Sequence, residues 1–342
     1  MKILHVTSDY KPGGIQKAFE AYLAALSPLP QFKNFYFIPG GPQLKYHKYH
    51  AQHINMSWTQ KSLLRRADFL PVQKLRNHKF KIGLVHNGFI CAGINRYCDN
   101  IIGICHNDKP EQFKDADHLI CLTPNAAKKA LDFGRREYSI HLLPHYFEPK
   151  RKFQGKIKQN DALTIGAAGR FVEKKGFKTF IKAAAEIRYV YPEIKFLLAG
   201  DGPLSRQLRS YSESKGNPVK FIGWVDIDDF APSIDIFCLP SLDEPYGYVL
   251  AEMMHYGVAI VSSRTNGPLW ICKDESNALF FQPSNSSELA NCLKTFISDT
   301  KMRIQYQQNA IQTINDKRFS KHAFSEHLLT IISKITENGK MF

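Results

Sequence analysis

The stretch IFCLPSLDEPYGYVLAEMMHYGVAIV, Ile236–Val261, decides the fold. Ile236–Leu239 reads as a buried strand, and a loop carrying Pro240, Asp243, Glu244 and Pro245 follows it. Tyr246-Gly247 then opens a helix to about Tyr256, and Val258–Val261 reads as the next strand. A strand, a loop, a helix and a second strand in one short run form a unit of a parallel sheet. Outward from it the rhythm repeats. Strands are expected at Leu163–Ala168 and Ile194–Ala199, with helices at Phe177–Tyr189, Leu204–Ser214, Glu288–Ser298 and Lys301–Ile314. Towards the start, strands are expected at Ile3–Val6, Phe35–Ile38, Ile82–Val85, Ile101–Ile104, His118–Leu122 and Ile140–Leu143, with a helix at Ile15–Leu26. A last amphipathic helix, Lys321 to Ile335, carries Phe324, Leu328, Ile331, Ile332 and Ile335 on one face.

The length of 342 residues favours two cores over one. The polar, aperiodic stretch KRKFQGKIKQND, ending at Asp161, reads as the linker between two α/β domains of similar size. The boundaries read from it are 1–158 for the first domain, 159–318 for the second and 319–342 for the terminal helix. Net charge is +15 and unevenly spread: residues 1–158 hold 25 Lys and Arg against 11 Asp and Glu, the remainder 21 against 20. The first half therefore suits an anionic partner, and charge alone does not choose among nucleic acid, anionic lipid and phosphorylated glycan. Seven cysteines, with no C-x-x-C pair, fit neither a zinc site nor a disulfide framework and suggest a reducing cytosol. The opening MKILHVTSDYK is too short in apolar residues for a signal peptide, and no run of roughly 18 apolar residues suggests a membrane span.

In open parallel sheets, ligands bind outside the carboxyl ends of the strands, at helix N-termini. Four loops stand at such ends. Gly13-Gly14 follows the first strand, where two glycines would let backbone amides approach a ligand, although an ordinary turn reads equally well. AAGRFVEKKGF, Ala167–Phe177, turns at Gly169 and brings Arg170 and Lys175 to a helix start. A planar fork and a compact ammonium together suit a diphosphate, though solvated surface charge is the alternative for the motif alone. LLAGDGPL, Leu197–Leu204, reads mainly as structural. In the fourth loop, Glu244 precedes the helix and Glu252 lies inside it among Val249, Leu250, Ala251, Met253 and Met254, where a carboxylate usually has a partner or a task.

Taken together and in this order, the four loops resemble the retaining nucleotide-sugar glycosyltransferases of family 4, which have the glycosyltransferase B fold. Glu244, seven residues and Glu252 match the family's paired glutamates within P-S-x-x-E-x-(F/Y)-G-x-x-x-x-E. GRFVEKKGF is similar to its G-R-x-x-x-x-K-G element. The resemblance implies two Rossmann-like domains facing a cleft and transfer of a hexose-type sugar from a nucleotide sugar, with UDP favoured over GDP. It implies that Arg170 and Lys175 bind the donor diphosphate, Glu252 the ribose hydroxyls and Glu244 a hydroxyl of the transferred sugar. Gly169 and the amides of Tyr246, Gly247 and Tyr248 would complete the phosphate site, while Gly13 and Gly14 would approach from the first domain. His106, in GICHND, falls where relatives carry a histidine facing the sugar, with His86 and His145 as rivals. No cofactor or metal is implied, because the fixed positive groups carry the charge of the leaving diphosphate. The sequence departs from the family at Asn266-Gly267-Pro268-Leu269-Trp270: Trp270 stands where an acid is common, which bears on the choice of donor sugar.

Trp58–Lys81 holds seven Lys and Arg against Asp68 alone, with Leu63, Leu64, Phe69 and Leu70 among them. Such a segment can lie on an anionic membrane, although a solvated helix face reads equally well. A lipid-linked or lipopolysaccharide-type acceptor, met at the inner leaflet, would suit that charge. Two other readings remain. One is a nucleotide-sugar epimerase of the same fold. The other is a basic nucleic-acid-binding protein, which leaves Glu244 and Glu252 without purpose and for which no recognised module is present.

Overall fold

The computed structural model describes residues 1–8, 13–38, 49–55, 64, 73–149, 151, 153 and 163–338. They fall into two units, Met1–Tyr146 with Arg318–Phe342, and Phe147–Lys317. The first is built on strands β1 (Lys2–Val6), β2 (Lys33–Phe37), β3 (Gln52–His53), β4 (Phe80–Val85), β5 (Cys98–Cys105), β6 (His118–Cys121) and β7 (Ile140–Leu142). They pair in parallel in the order β3-β2-β1-β4-β5-β6-β7. The second unit has β8 (Thr164–Ala168), β9 (Lys195–Ala199), β10 (Lys220–Gly223), β11 (Ile236–Leu239), β12 (Ala259–Ser263) and β13 (Leu279–Phe281). All are again parallel, in the order β10-β9-β8-β11-β12-β13. Both sheets are doubly wound. Strand order reverses beside β1 in one and beside β8 in the other, and at such points the loops diverge and leave room for a ligand.

The apolar runs read from the sequence form the sheet cores. Ile3, Leu4 and Val6 in β1 are fully buried, as are Ile165 and Ala167 in β8 and Ile236, Phe237 and Cys238 in β11. Helix α1 (Gly14–Leu26) covers the first sheet with Phe19, Tyr22 and Leu23. In the second unit, α2 (Phe177–Val190) buries Phe180, Ile181, Ala184 and Ile187 against Ile165, Phe196 and Leu198. Helix α3 (Tyr248–His255) buries Leu250, Met253 and Met254.

The final helix, α4 (Lys321–Asn338), belongs to the first unit although the whole second unit precedes it in the chain. All five apolar residues of its predicted stripe are buried, and Phe324 packs edge-on against Tyr22 at 5.1 Å and tilted against Tyr146 at 5.1 Å.

The unit boundary falls at Tyr146/Phe147, about a dozen residues before position 158. The start of the expected linker is held by the second unit: Phe147 and Phe153 pack on His255, Phe153 also on Tyr256, and Arg151 pairs with Asp229 at 2.7 Å. Most of Trp58–Lys81 lies outside the described residues. No described helix is long and apolar enough to cross a membrane. The seven cysteines carry no disulfide.

Candidate active site

The second unit brings the predicted donor loops together through backbone contacts. Phe171, 1% exposed, anchors the loop after β8 with its ring against Phe177 and Phe221. Its N–H donates to Asp201 O at 2.8 Å, and its carbonyl accepts from Leu204 N at 3.1 Å. The Gly-Asp-Gly turn therefore supports the loop of Arg170 and Lys175, which agrees with its structural reading. Lys174 O in turn accepts from Leu242 N at 2.7 Å and fastens that loop to the one after β11.

Gly176 makes the junction possible. It sits at φ 64°, and a Cβ there would lie 2.0 Å from Pro240 O. Left-handed backbone costs an L-residue roughly 1–2 kcal/mol before any clash is counted. Gly176→Ala is therefore expected to destabilise the protein by at least about 2 kcal/mol. Urea unfolding of the two proteins checks this, and an unchanged midpoint would show that the loops are not locked here.

At that junction Lys175 and Glu244 form an ion pair through Glu244 Oε2. Ser241, fully buried, donates its hydroxyl to the same oxygen at 3.1 Å, and its own carbonyl accepts from Ser263 Oγ at 2.5 Å. The Glu244 carbonyl accepts from Gly267 N at 2.9 Å, which ties in the short helix Asn266–Ile271. The donors from Lys175 and Ser241 both fall on Oε2, so Oε1 is the oxygen these bonds leave open. Ser241 and Ser263 are neighbours of Glu244 that sequence reading missed; the only signal was their place in the motif and at the end of β12.

Arg170 is exposed at the mouth of the loop, beside Gly169 at the end of β8. Gly247, at φ 82°, caps α3, and the rings of Tyr246 and Tyr248 lie 6.1 Å apart. The first amides of α3 thus stand beside Glu244, where a helix N-terminus favours an anion. Glu252 lies one turn into α3 and is half-buried, less enclosed than its apolar sequence neighbours suggested. Gly267 and Pro268 are buried, and Asn266 and Trp270 are half-buried.

Metal-dependent transferases use an Asp-x-Asp motif, and two such triplets occur here. Each contains a carboxylate that serves the local fold. Asp117 accepts from Ile101 N at 2.7 Å. Asp226 accepts from Asp228 N at 3.1 Å, and Asp228 accepts from the Tyr256 hydroxyl at 2.7 Å.

In the first unit, Gly13 caps α1 and Gly14 begins it, at the carboxyl end of β1. A Cβ on Gly14 would meet nothing within 4 Å among the described residues, so the protein's own packing does not demand glycine there. Gly14→Ala is expected to leave the melting temperature unchanged or slightly raised, because alanine is the better helix former. Should a ligand approach that backbone closely, the same change weakens its binding; a thermal melt with and without nucleotide reads both effects. Just after β1, Asn87 Oδ1 accepts from Ser8 N at 2.6 Å and Thr7 Oγ1 at 3.3 Å.

His106 ends β5, and its two sequence rivals prove to be its neighbours. His86 Nδ1 is hydrogen-bonded to His106 Nε2 at 2.9 Å, and His145 Nε2 to His106 Nδ1 at 3.4 Å. The rings stack at 5.1 and 5.4 Å. His5, from β1, is buried beside them and bonded to Asn34 at 3.0 Å. Burial pushes His106 down to about 3 and His5 to about 4, the latter against a small upward pull from Asn34. His86 and His145 are also held well below the usual range, first by burial and then by the neighbouring histidines. Four neutral imidazoles therefore crowd one end of the sheet. Among the described residues, no group of three or more His, Cys, Asp or Glu is arranged to hold a metal ion.

Two doubly wound parallel sheets of this kind are the domains of the glycosyltransferase B fold. Residues 148–313 match the family model for glycosyl transferases group 1, and the second unit is a domain of that family. Among curated relatives, the lipopolysaccharide core biosynthesis glycosyltransferase LpsE of Rhizobium meliloti is 29% identical over 229 residues, 65% of this chain and 65% of that protein. LpsD of the same organism is 28% identical over 237 residues, 66% of this chain and 67% of its own. The matches thus span about two thirds of these relatives. Among solved structures, Anabaena HepE, crystallised with UDP and glucose, superposes with a TM-score of 0.76 at 20% identity, over 97% of this chain and 99% of that one. At that identity the likeness establishes the fold.

Proposed function

We propose that this protein is a retaining glycosyltransferase that moves a hexose-type sugar from a nucleotide sugar, with UDP favoured, to a glycan or glycolipid acceptor. The observation that carries the proposal is the Lys175–Glu244 pair, set by Ser241 beside the N-terminus of α3 within the matched domain. Lys175 and Arg170 would neutralise the donor diphosphate, the first amides of α3 would donate to it, and Glu244 Oε1 would accept from a sugar hydroxyl. Glu252 would accept from the ribose. The bond from the anomeric carbon to the diphosphate breaks as the acceptor oxygen attacks the same face, and the acceptor's proton passes to the departing phosphate oxygen. Positive charge at the leaving group then comes from the protein's own groups, without a required metal. The names of LpsE and LpsD favour lipopolysaccharide or related surface glycans, and the UDP held by HepE favours UDP.

Thermal unfolding with UDP, GDP, ADP and CMP tests the donor site. A ligand at about 100 times its dissociation constant stabilises by about 2.7 kcal/mol. One nucleoside diphosphate is expected to stand out and Glu252→Ala to erase its effect; no response to any of them would sink the reading.

On the same reading the protein works on the cytoplasmic face of the membrane, held there reversibly by its basic first half. Sedimentation with vesicles rich in anionic phospholipid should bring it down at low salt and release it at high salt. Equal binding to neutral vesicles would remove the electrostatic anchor.

A further inference from the structure

In a parallel sheet all strands start at the same end, so residues far apart in the chain meet there. Lys2 opens β1 and Lys33 opens β2, and the two are register partners. Lys79 precedes β4, Lys81 lies one residue inside it, and the short helix Gln73–Arg76 just ahead adds Lys74 and Arg76. Four of the seven cations of Trp58–Lys81 thus come to the amino end of the first sheet, where the fold joins them to two from other strands. A cavity of about 400 Å³ opens among Lys2, Lys79, Lys81 and the end of α4 at Thr336 and Glu337. Asp99 also lines it and pairs with Lys81 at 2.9 Å. Lys33, Lys74, Arg76 and Lys79 are exposed and form no ion pair among the described residues. The field reaches His78, which burial and then the charge of Lys2 hold below its ordinary range.

A second observation lies at the far edge of the same end, just before β7. Phe133 is 49% exposed and Tyr138 67%, and both line a cavity of about 300 Å³ with Lys114, Arg135 and Arg136. From β2 to β7 the sheet is roughly 24 Å wide, at about 4.8 Å between strands. Like charges gathered in this way repel one another unless an anion lies across them. Cations and exposed rings spread over the width of a sheet, rather than along a groove, suit a plane: headgroup phosphates meet the cations, and amphipathic rings settle at the level of the headgroups.

We propose that the amino-end face of the first sheet is the surface that meets an anionic phospholipid leaflet, with headgroup phosphates among the lysines and with Phe133 and Tyr138 at the headgroup level. The strands then stand on the leaflet, and the carboxyl ends of this sheet, with Gly14 and His106, point away from it. Strand β1 has five residues and β5 eight, so those ends stand roughly 17–26 Å above the surface at about 3.3 Å per residue. An acceptor that reaches that height is a lipid already carrying a chain of sugars, not a bare lipid headgroup. This last step rests on the proposed transfer reaction; the docking face does not.

The experiment is sedimentation of the full chain with vesicles of equimolar phosphatidylglycerol and phosphatidylcholine at low salt. Each cation that meets an anionic leaflet strengthens binding by roughly fivefold, so Lys33→Gln with Lys79→Gln is expected to weaken it about 25-fold. Lys220→Gln with Lys301→Gln, at two exposed lysines of the second unit, is expected to leave it unchanged. No binding by the unaltered protein, equal losses in the two pairs, or capture of RNA with the vesicles refused overturns the proposal. Orientation is read from fluorophores attached at Tyr138→Cys and at Gly14→Cys, with the labelled wild type as the blank. A phospholipid with a spin-labelled headgroup is expected to quench the first strongly and the second little; equal or reversed quenching overturns the orientation. If no nucleotide shifts the melt, the transfer reading fails and the acceptor inference with it, while the docking face is still decided by the vesicles.

Discussion

Glu244→Gln is expected to lower turnover by roughly 100- to 1,000-fold while the protein melts within a few degrees of the wild type. Glutamine keeps the volume of the side chain and an oxygen for the Ser241 hydroxyl, so the loop after β11 stays in place. What disappears is a full negative charge beside Lys175 and the carboxylate oxygen that the proposed function offers to the sugar. A charge-assisted hydrogen bond is about twice as strong as a neutral one, and its loss is felt most where the sugar must be held in a single orientation. Lys175→Ala acts on the other half of the pair by removing the cation proposed to meet the diphosphate, and its loss in rate should be similar. Release of nucleoside diphosphate from a panel of nucleotide sugars measures both. Near wild-type turnover in either variant would remove that residue from the site.

Mild acid should destabilise the protein through its first unit. His5 and His106 have folded pKa values of about 4 and about 3, below the unfolded value of 6.5. Above pH 6.5 both states are neutral and the histidines contribute nothing to pH dependence. Below it the unfolded chain binds protons that the folded unit refuses, so stability falls as pH drops from 6.5 towards 4. At pH 5 each of the two costs about 2 kcal/mol. His86 and His145 act in the same direction. Among the described residues, the side chains that contact the cluster include Asn34, Phe19 and Tyr22, which carry no negative charge. About 4 kcal/mol corresponds to a fall in melting temperature on the order of 10 °C between pH 7.5 and 5.0. A melt that stays level over that interval would mean that these rings are free to charge when folded.

The fold and half of the site were legible for one reason: parallel strands buried on both faces read as continuous apolar runs, and Ile236–Leu239 and Leu163–Ala168 are such runs. Three strands escaped notice: β3, β10 and β13. All lie at sheet edges and are short, and Lys220–Gly223 has only Phe221 and Ile222 as apolar side chains. Edges need little apolar surface, so little is written there. The helix Pro124–Asp132 also escaped, although Thr123 caps it, accepting from Ala126 N at 3.2 Å. Glu244 and Lys175 were readable as a motif, but their direct pairing was not, since it depends on Lys174 O and Leu242 N meeting across two loops. The histidine column was less visible still. His86 and His106 each stand before an asparagine at the end of a strand, and His145 follows β7, but only the sheet order shows that these ends converge.

The position of α4 has a consequence for how the chain is made. Phe147–Lys317 is one continuous segment, whereas the first unit is completed only by residues 318–342. During synthesis the second unit therefore has all of its own chain before the first does. Until Phe324 arrives, Tyr22 and Tyr146 lack the side chain that covers them. The second unit thus has every residue it needs while the first still waits for its final helix. A core begun by the first strands is therefore closed by a helix that lies beyond a whole second unit in the chain.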